Sequence, residues 1–437
     1  MAERKSPGRL NILLATLGSA GDVHPMVSLG IALQKRGHRA TIITNEIFSD
    51  SVRAASLDFI AMGTTREARE TMADPRLWQA SRGYQCVAER VIVPNISRLY
   101  QIIERQAGPD TIVVASGVCF GARLAQEKLG TPLATVHLQP TLIRSLVDSG
   151  KYGPIPMGPT VPPAIKQSMF WLLDTLAIDR FMVPALNRFR AQLTLRPVHR
   201  VLDSYAHSPQ LVLCLFPDWF APPQPDWPPN THQTGFVLYD AGDVVGIPSA
   251  VEEFLAAGSP PVVFTPGSAA ATLHEFFRES VEACCIAGLR GLLITMHPGQ
   301  LPKKLPAQVR SFSYLPFSQI LPRCAAITYH GGIGTMAQAI KAGVPHLVVP
   351  NSHDQPDNGF RIERLGLGSC VPPRRYRASE MAARLRELVH SGEIRERCRE
   401  YSGRIDSDAA VCQACDLIER LASSSRDLPG SSRGLLH

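Results

Sequence analysis

Short apolar runs alternate with longer segments of helical spacing along most of this chain. Residues 11–16, NILLAT, form one such run, and its unbroken apolar character predicts a parallel strand covered on both faces. The loop LGSAGDVHP follows at 17–25, and PMVSLGIALQKRG at 25–37 has the apolar spacing of a helix that ends on a glycine. ATIITN at 40–45 is the next strand, so the unit reads strand, Gly loop, helix, strand. Further strands are predicted at DFIAMG near 58, TIVVAS at 111–116, PLATVH at 132–137 and LVLCLF at 211–216, with helices filling much of 88–106 and 119–128. Residues 141–205 break the rhythm: a Pro-rich stretch leads into KQSMFWLLDTLAIDRFMVPALNRFRAQL, expected as helices that cover the first domain.

The breaker-rich segments PDWFAPPQPDWPP at 217–229 and GDVVGIPS at 242–249 set a domain boundary near 236–258. The rhythm then restarts. Strands are predicted at PVVFTP (with a Gly/Ser loop to 268), GLLITM at 291–296, AAITYH at 325–330, PHLVVP at 345–350 and near GSCV. Helices are predicted at 274–288, 317–323, 331–343 after a Gly loop, 379–390 and about 392–401. The expected divisions are 1–240, 241–407, a last amphipathic helix at 408–422, and a Ser/Gly-rich tail at 423–437 expected to be disordered. Open α/β sheets bind ligands at the C-terminal ends of their strands, so two such domains face to face make a cleft.

Length and charge narrow the class. The 437 residues suit two domains, and 45% hydrophobic residues argue against a disordered chain. The net charge of +7 comes from scattered bases, which suits an anionic substrate or a membrane surface better than nucleic acid. Ten cysteines show no metal spacing and read as free thiols in a reducing compartment. The N-terminus has no secretory signature and no apolar run reaches 18 residues, so a cytoplasmic protein is expected, with peripheral contact at the inner membrane and a weak homodimer left open.

Several polar clusters fall at predicted strand ends. In Gly18–Pro25, Asp22 is either a helix cap or a general base for an acceptor hydroxyl. His24 is an alternative base or shapes the acceptor site, and Gly21 lies beside them. His330, Gly331, Gly332, Gly334 and Thr335 sit between a strand and a helix, where amides and a hydroxyl can hold a diphosphate, or simply form a tight turn. The loop Asn351–Asn358 offers Asp354 and Gln355 to sugar hydroxyls, or is a solvated loop. Ser268 can face phosphate. Tyr314 and Leu315 either meet a nucleobase or belong to the core. No HxxxH, DxD or paired CxxC feature is present, so no metal is expected, and a leaving diphosphate would rely on helix amides and neutral donors. Met169, Phe170, Trp171, Leu172, Leu173, Phe181 and Met182 can line a hydrophobic acceptor site, and Arg144, Lys151, Arg180, Arg188 and Arg190 can meet an acceptor carboxylate.

Residues 330–358, HGGIGTMAQAIKAGVPHLVVPNSHDQPDN, resemble the donor signature of the family 1 glycosyltransferases of GT-B fold. GSAGDVHP resembles the GSRGD-type loop of the bacterial antibiotic and sterol enzymes, and MADPRLW and WFAPPQPDWP look most like the rhamnosyltransferases of mono-rhamnolipid synthesis. The resemblance implies two Rossmann-like domains, with the last helix crossing back to the first. It implies inverting, metal-independent transfer without a cofactor from a nucleotide sugar, dTDP-L-rhamnose first and UDP-glucose second. The implied acceptor is hydrophobic and hydroxylated: a hydroxyalkanoyloxyalkanoate lipid or, alternatively, a sterol, macrolide or aromatic compound. It also implies roles for Asp22 as base, Ser268, His330, Gly331, Gly332 and Thr335 at the diphosphate, Asp354 and Gln355 at the sugar, and Tyr314–Phe317 at the base. Two departures stand out: Ala20 replaces the arginine of GSRGD, and VVASGVCFGA lacks the carboxylate that partners a histidine base in other relatives. A nucleotide-sugar epimerase and a noncatalytic binding protein are the rival classes.

Overall fold

The computed structural model describes residues 8–79, 82–153, 155–240, 246–267 and 274–426. Two open parallel sheets dominate it. The first contains β1 (Asn11–Ala15), β2 (Arg39–Thr44), β3 (Asp58–Ala61), β4 (Thr111–Ser116), β5 (Leu133–His137), β6 (Leu211–Cys214) and β7 (Thr231–Gln233), in the order β3-β2-β1-β4-β5-β6-β7. The second contains β8 (Val262–Thr265), β9 (Gly291–Ile294), β10 (Val309–Phe312), β11 (Ala326–Tyr329), β12 (His346–Val348) and β13 (Gly368–Cys370), in the order β10-β9-β8-β11-β12-β13. These are two Rossmann-like domains facing across a cleft, the GT-B architecture.

The pleat of β1 explains the continuous apolar runs. Ile12 and Leu14 enter one core and Leu13 and Ala15 the core on the opposite face, all fully buried. The helix Ser407–Arg426 leaves the second domain and completes the first of these cores with Ala414, Cys415, Ile418 and Leu421. Arg36 holds it at the surface through Asp416 at 2.6 Å and Glu419 at 3.2 Å. The helix runs past 422, where the Ser423 and Ser424 hydroxyls bond back to the carbonyls of Glu419 and Arg420. Residues 427–437 lie outside the described residues.

The long segment after β5 covers the other face through Ile178, Met182 and Leu186. Phe170 and Met182 are buried, whereas Trp171 and Leu172 stay more than half or half exposed, at 56% and 50%. Arg144 and Arg190 are not available to a carboxylate ligand: Arg144 is buried against Asp174 at 2.7 Å, and Arg190 pairs with Glu127 at 2.8 Å. Arg180 and Arg188 are exposed.

Two strands escape the hydrophobic pattern. β7 is three residues long and polar, and β10 carries Arg310 and Ser311. Both are edge strands, with one neighbour each, so neither needs two apolar faces. The first helix also differs from expectation. It starts at Ala20 rather than Pro25, because Ser19 is its N-cap and Asp22 closes the first turn. Pro25 is therefore inside the helix, where it has no N–H to offer the Gly21 carbonyl.

Candidate active site

Strand order reverses between β1 and β4 in the first sheet and between β8 and β11 in the second. The crevices at these reversals are the natural ligand sites of open α/β sheets. The predicted polar clusters follow β1 in the first sheet and β8, β11 and β12 in the second, with Tyr314 and Leu315 after β10, so both halves of the cleft are built from them.

On the first-domain side, Ser19 donates its N–H to Asp22 Oδ2 at 2.8 Å and its hydroxyl at 3.3 Å. Gly18 makes room for this carboxylate: it has φ +131°, and a Cβ there would lie 2.2 Å from Oδ2. Burial outweighs the two hydrogen bonds and raises Asp22 to about 6. The carboxyl is thus poised to exchange a proton near neutrality. His24 is two residues further along the helix, so the two side chains do not share a face. Its ring lies edge-on to Tyr239 of the domain connector, at 5.5 Å between centroids, and burial lowers its pKa.

On the second-domain side, the His330 ring lodges between Gly267 and Gly332. A Cβ on either glycine would approach its ring atoms to 2.7 Å and 2.4 Å. Burial lowers His330 to about 4, which keeps the imidazole neutral, and its Nδ1 is buried without a partner among the described residues. Gly331 has φ +91°, and its carbonyl accepts from Asn358 Nδ2 at 2.8 Å. Gly332 is the N-cap of the helix Ile333–Ala342, and among the described residues no side chain caps that end. The amides of Ile333, Gly334 and Thr335 therefore present unsatisfied N–H groups and a positive dipole end. Gly334 sits against the first helix, where an added Cβ would be 3.3 Å from Gly21 Cα, so the two half-sites touch at a pair of glycines. Ser268 lies outside the described residues.

Asp354 precedes the helix Gln355–Arg364 and accepts from Asn358 Nδ2 at 2.7 Å. Burial, followed by the charge of Asp22, raises it to about 7. The two carboxylates therefore feel one another across the cleft. Gln355 is turned into its own loop: its side-chain oxygen accepts from the Asn351 N–H at 2.8 Å and the Ser352 N–H at 3.2 Å. The Tyr314 hydroxyl donates to the Asp240 carbonyl in the connector, and burial raises its pKa to about 12. The Leu315 side chain is core, 2% exposed.

Sequence reasoning did not single out His353, Trp78 and Tyr84, which meet beside Asp354, or the buried pair His137–His207 at the end of β5, 2.9 Å apart. An extra signal was available only for His353, which interrupts the polar loop with a ring. Among the described residues no group of His, Cys, Asp or Glu side chains is arranged to hold a metal ion, and no helix is long and apolar enough to cross a membrane.

Residues 12–146 match the glycosyltransferase family 28 N-terminal domain, and residues 291–415 match the erythromycin biosynthesis protein CIII-like C-terminal domain. An O-mycaminosyltylonolide 6-deoxyallosyltransferase of Streptomyces fradiae is 29% identical over 95% of this chain and 98% of its own length. A sterol 3-beta-glucosyltransferase of Arabidopsis thaliana is 25% identical over 98% of this chain and 71% of its own. Among solved structures, the glycosyltransferase of kitacinnamycin superposes with a TM-score of 0.73 at 18% identity, covering 95% of this chain and 100% of that one, which speaks for the fold. These matches correct the expected kinship with rhamnolipid rhamnosyltransferases, since they point instead to antibiotic, natural-product and sterol glycosyltransferases. With both sheets, the returning helix and matches at both ends of the chain in place, it is a glycosyltransferase of GT-B fold, related to the natural-product and sterol glycosyltransferases.

Proposed function

We propose that this enzyme transfers a sugar, with inversion, from a nucleoside diphosphate sugar in the second domain to a hydroxyl of a hydrophobic polycyclic acceptor in the first. The observation that carries this reading is the uncapped helix N-terminus at Ile333–Thr335, set against the Asp22 turn at the Gly21–Gly334 contact. In the proposed step the acceptor oxygen attacks the anomeric carbon and its proton passes to the Asp22 carboxylate. The bond from the anomeric carbon to the diphosphate oxygen breaks on the opposite face. The charge released onto the diphosphate meets the first-turn amides, the Thr335 hydroxyl and the neutral His330 ring. Asp354 accepts hydrogen bonds from donor-sugar hydroxyls. Gln355, occupied with its own loop, contributes mainly by holding the backbone of that loop.

The acceptor class rests on two supports. Relatives across nearly the whole chain are named for O-mycaminosyltylonolide and for sterols. The first domain also exposes Ile165, Trp171, Leu172 and Leu176 along one helical stretch, a surface suited to an apolar acceptor or to the membrane that carries it. The test is mass spectrometry of products from a matrix of uridine and thymidine diphosphate sugars, UDP-glucose and dTDP-L-rhamnose included, against sterol, macrolide and aromatic acceptors. A glycosylated acceptor, with release of the nucleoside diphosphate, supports the reading. Conversion of the donor to another nucleotide sugar without acceptor overturns it in favour of an epimerase.

A further inference from the structure

The residue before Asp354 belongs to the second domain by its backbone and to the first by its side chain. His353 Nε2 lies 3.1 Å from the Leu77 carbonyl oxygen, to which its N–H donates. Its ring is edge-on to Trp78 at 6.2 Å and to Tyr84 at 5.7 Å between centroids. Gly83 forms the floor of this slot: a Cβ there would lie 3.2 Å from the ring and 2.9 Å from the Leu77 oxygen. The His353 backbone is left-handed, with φ 59°, a conformation uncommon outside glycine that persists where surrounding contacts hold it. The same side of the cleft is tied down again nearby, where the Lys151 N–H bonds Asp357 at 2.8 Å and Arg364 meets Asp148 at 3.3 Å. His353 is therefore the contact nearest Asp354 in a row that docks the donor loop on the first domain.

We infer that His353 is a positioning residue: by seating in the Leu77–Trp78–Gly83–Tyr84 slot it fixes Asp354 opposite Asp22, so the donor-sugar subsite is complete only when the two domains are docked. This rests on the reading of Asp354 as a group that binds the donor sugar. A turn of the loop at 353 would carry the adjacent carboxylate with it, and would reach the diphosphate site at 330–335, which has its own strand and helix, less directly, through the Asn358 amide that bonds both Asp354 and the Gly331 carbonyl. The slot thus separates recognition of the sugar from recognition of the nucleotide.

The test uses the full chain and the donor and acceptor that the product matrix identifies. His353→Gly keeps the left-handed backbone and removes the anchor. His353→Gln places its amide nitrogen near the position of Nε2 and can donate a hydrogen to the Leu77 carbonyl. Gly83→Ala expels the ring from the other side of the slot. His353→Gly and Gly83→Ala are expected to raise the donor KM about tenfold, with kcat within about threefold of wild type. Affinity for the nucleoside diphosphate without its sugar is expected to be unchanged, and His353→Gln to recover most of the donor KM. An unchanged donor KM in His353→Gly overturns the inference. So does an equal loss of sugar-bearing and sugar-free ligand, which marks a general structural role. If the wild-type chain itself transfers no sugar from any donor, it is the proposed function that falls.

Discussion

A carboxylate that accepts a proton must first give up its own, and Asp22 does so late. Its pKa moves from 3.8 to about 6 because burial costs the charged form more than the Ser19 hydrogen bonds return. That rise corresponds to a loss of at most about 3 kcal/mol in preference for the ionised form. Asp354, raised to about 7 in part by the charge of Asp22, titrates in the same field, so the two ionise as a coupled pair. The expected kcat/KM for the acceptor, measured from pH 5 to 9, climbs with unit slope through about 6 and then levels off. Asp22 ionises first, with Asp354 still protonated, so Asp354→Asn is expected to leave the limb near 6, whatever it does to the plateau. The same groups enter stability with a defined sign. The native state keeps these protons over a range where the unfolded chain has lost them, so unfolding free energy falls as pH rises from about 4 to about 7. The buried histidines His137, His207, His330 and His346 act oppositely, since their lowered pKa values favour the native state as pH rises through the same range. The Asp22 contribution is therefore read as the difference between wild-type and Asp22→Asn melts, which should change in the variant's favour from pH 4 to 7. A flat rate profile across pH 5 to 8, or a melt difference of the opposite sign, refutes the reasoning.

Gly18→Ala should abolish transfer about as fully as loss of Asp22, because its Cβ would occupy space 2.2 Å from the Asp22 oxygen, while calorimetric donor binding persists. Arg144→Ala leaves Asp174, a carboxylate whose side chain is 1% exposed, paired with Arg200 alone at 3.3 Å among the described residues, and should lower stability in urea unfolding by about 1–3 kcal/mol. Ile418→Ala opens a hole where the last helix enters the first-domain core and should cost about 2–5 kcal/mol by the same measurement.

The two sheets were legible because strands covered on both faces have nowhere to put polar side chains. The runs at β1, β4, β5, β8 and β11 announce themselves for this reason, and the edge strands β7 and β10 do not. The glycine loops were legible as loops, but their purposes were not. Gly18 is spared a side chain for Asp22, Gly267 and Gly332 for the His330 ring, and Gly334 for the opposing domain. The start of the first helix was misplaced because Pro25 looks like a first-turn residue, whereas the Ser19–Asp22 reciprocity had already begun the helix. Tyr314 and Gln355 fall where the polar pattern put them, yet their side chains bond the connector and their own loop. The His353 slot could not be read at all, since it joins residues 276 positions apart through the placement of two domains.

Whether a donor held by the second domain faces a base at Asp22 is decided by one paired measurement. Wild-type enzyme and Asp22→Asn are compared for turnover by product mass spectrometry and for donor binding by titration calorimetry. The variant is expected to lose about 10²–10⁴-fold in turnover and to bind the nucleotide sugar as the wild type does. Turnover by Asp22→Asn close to the wild-type rate would contradict a base at Asp22.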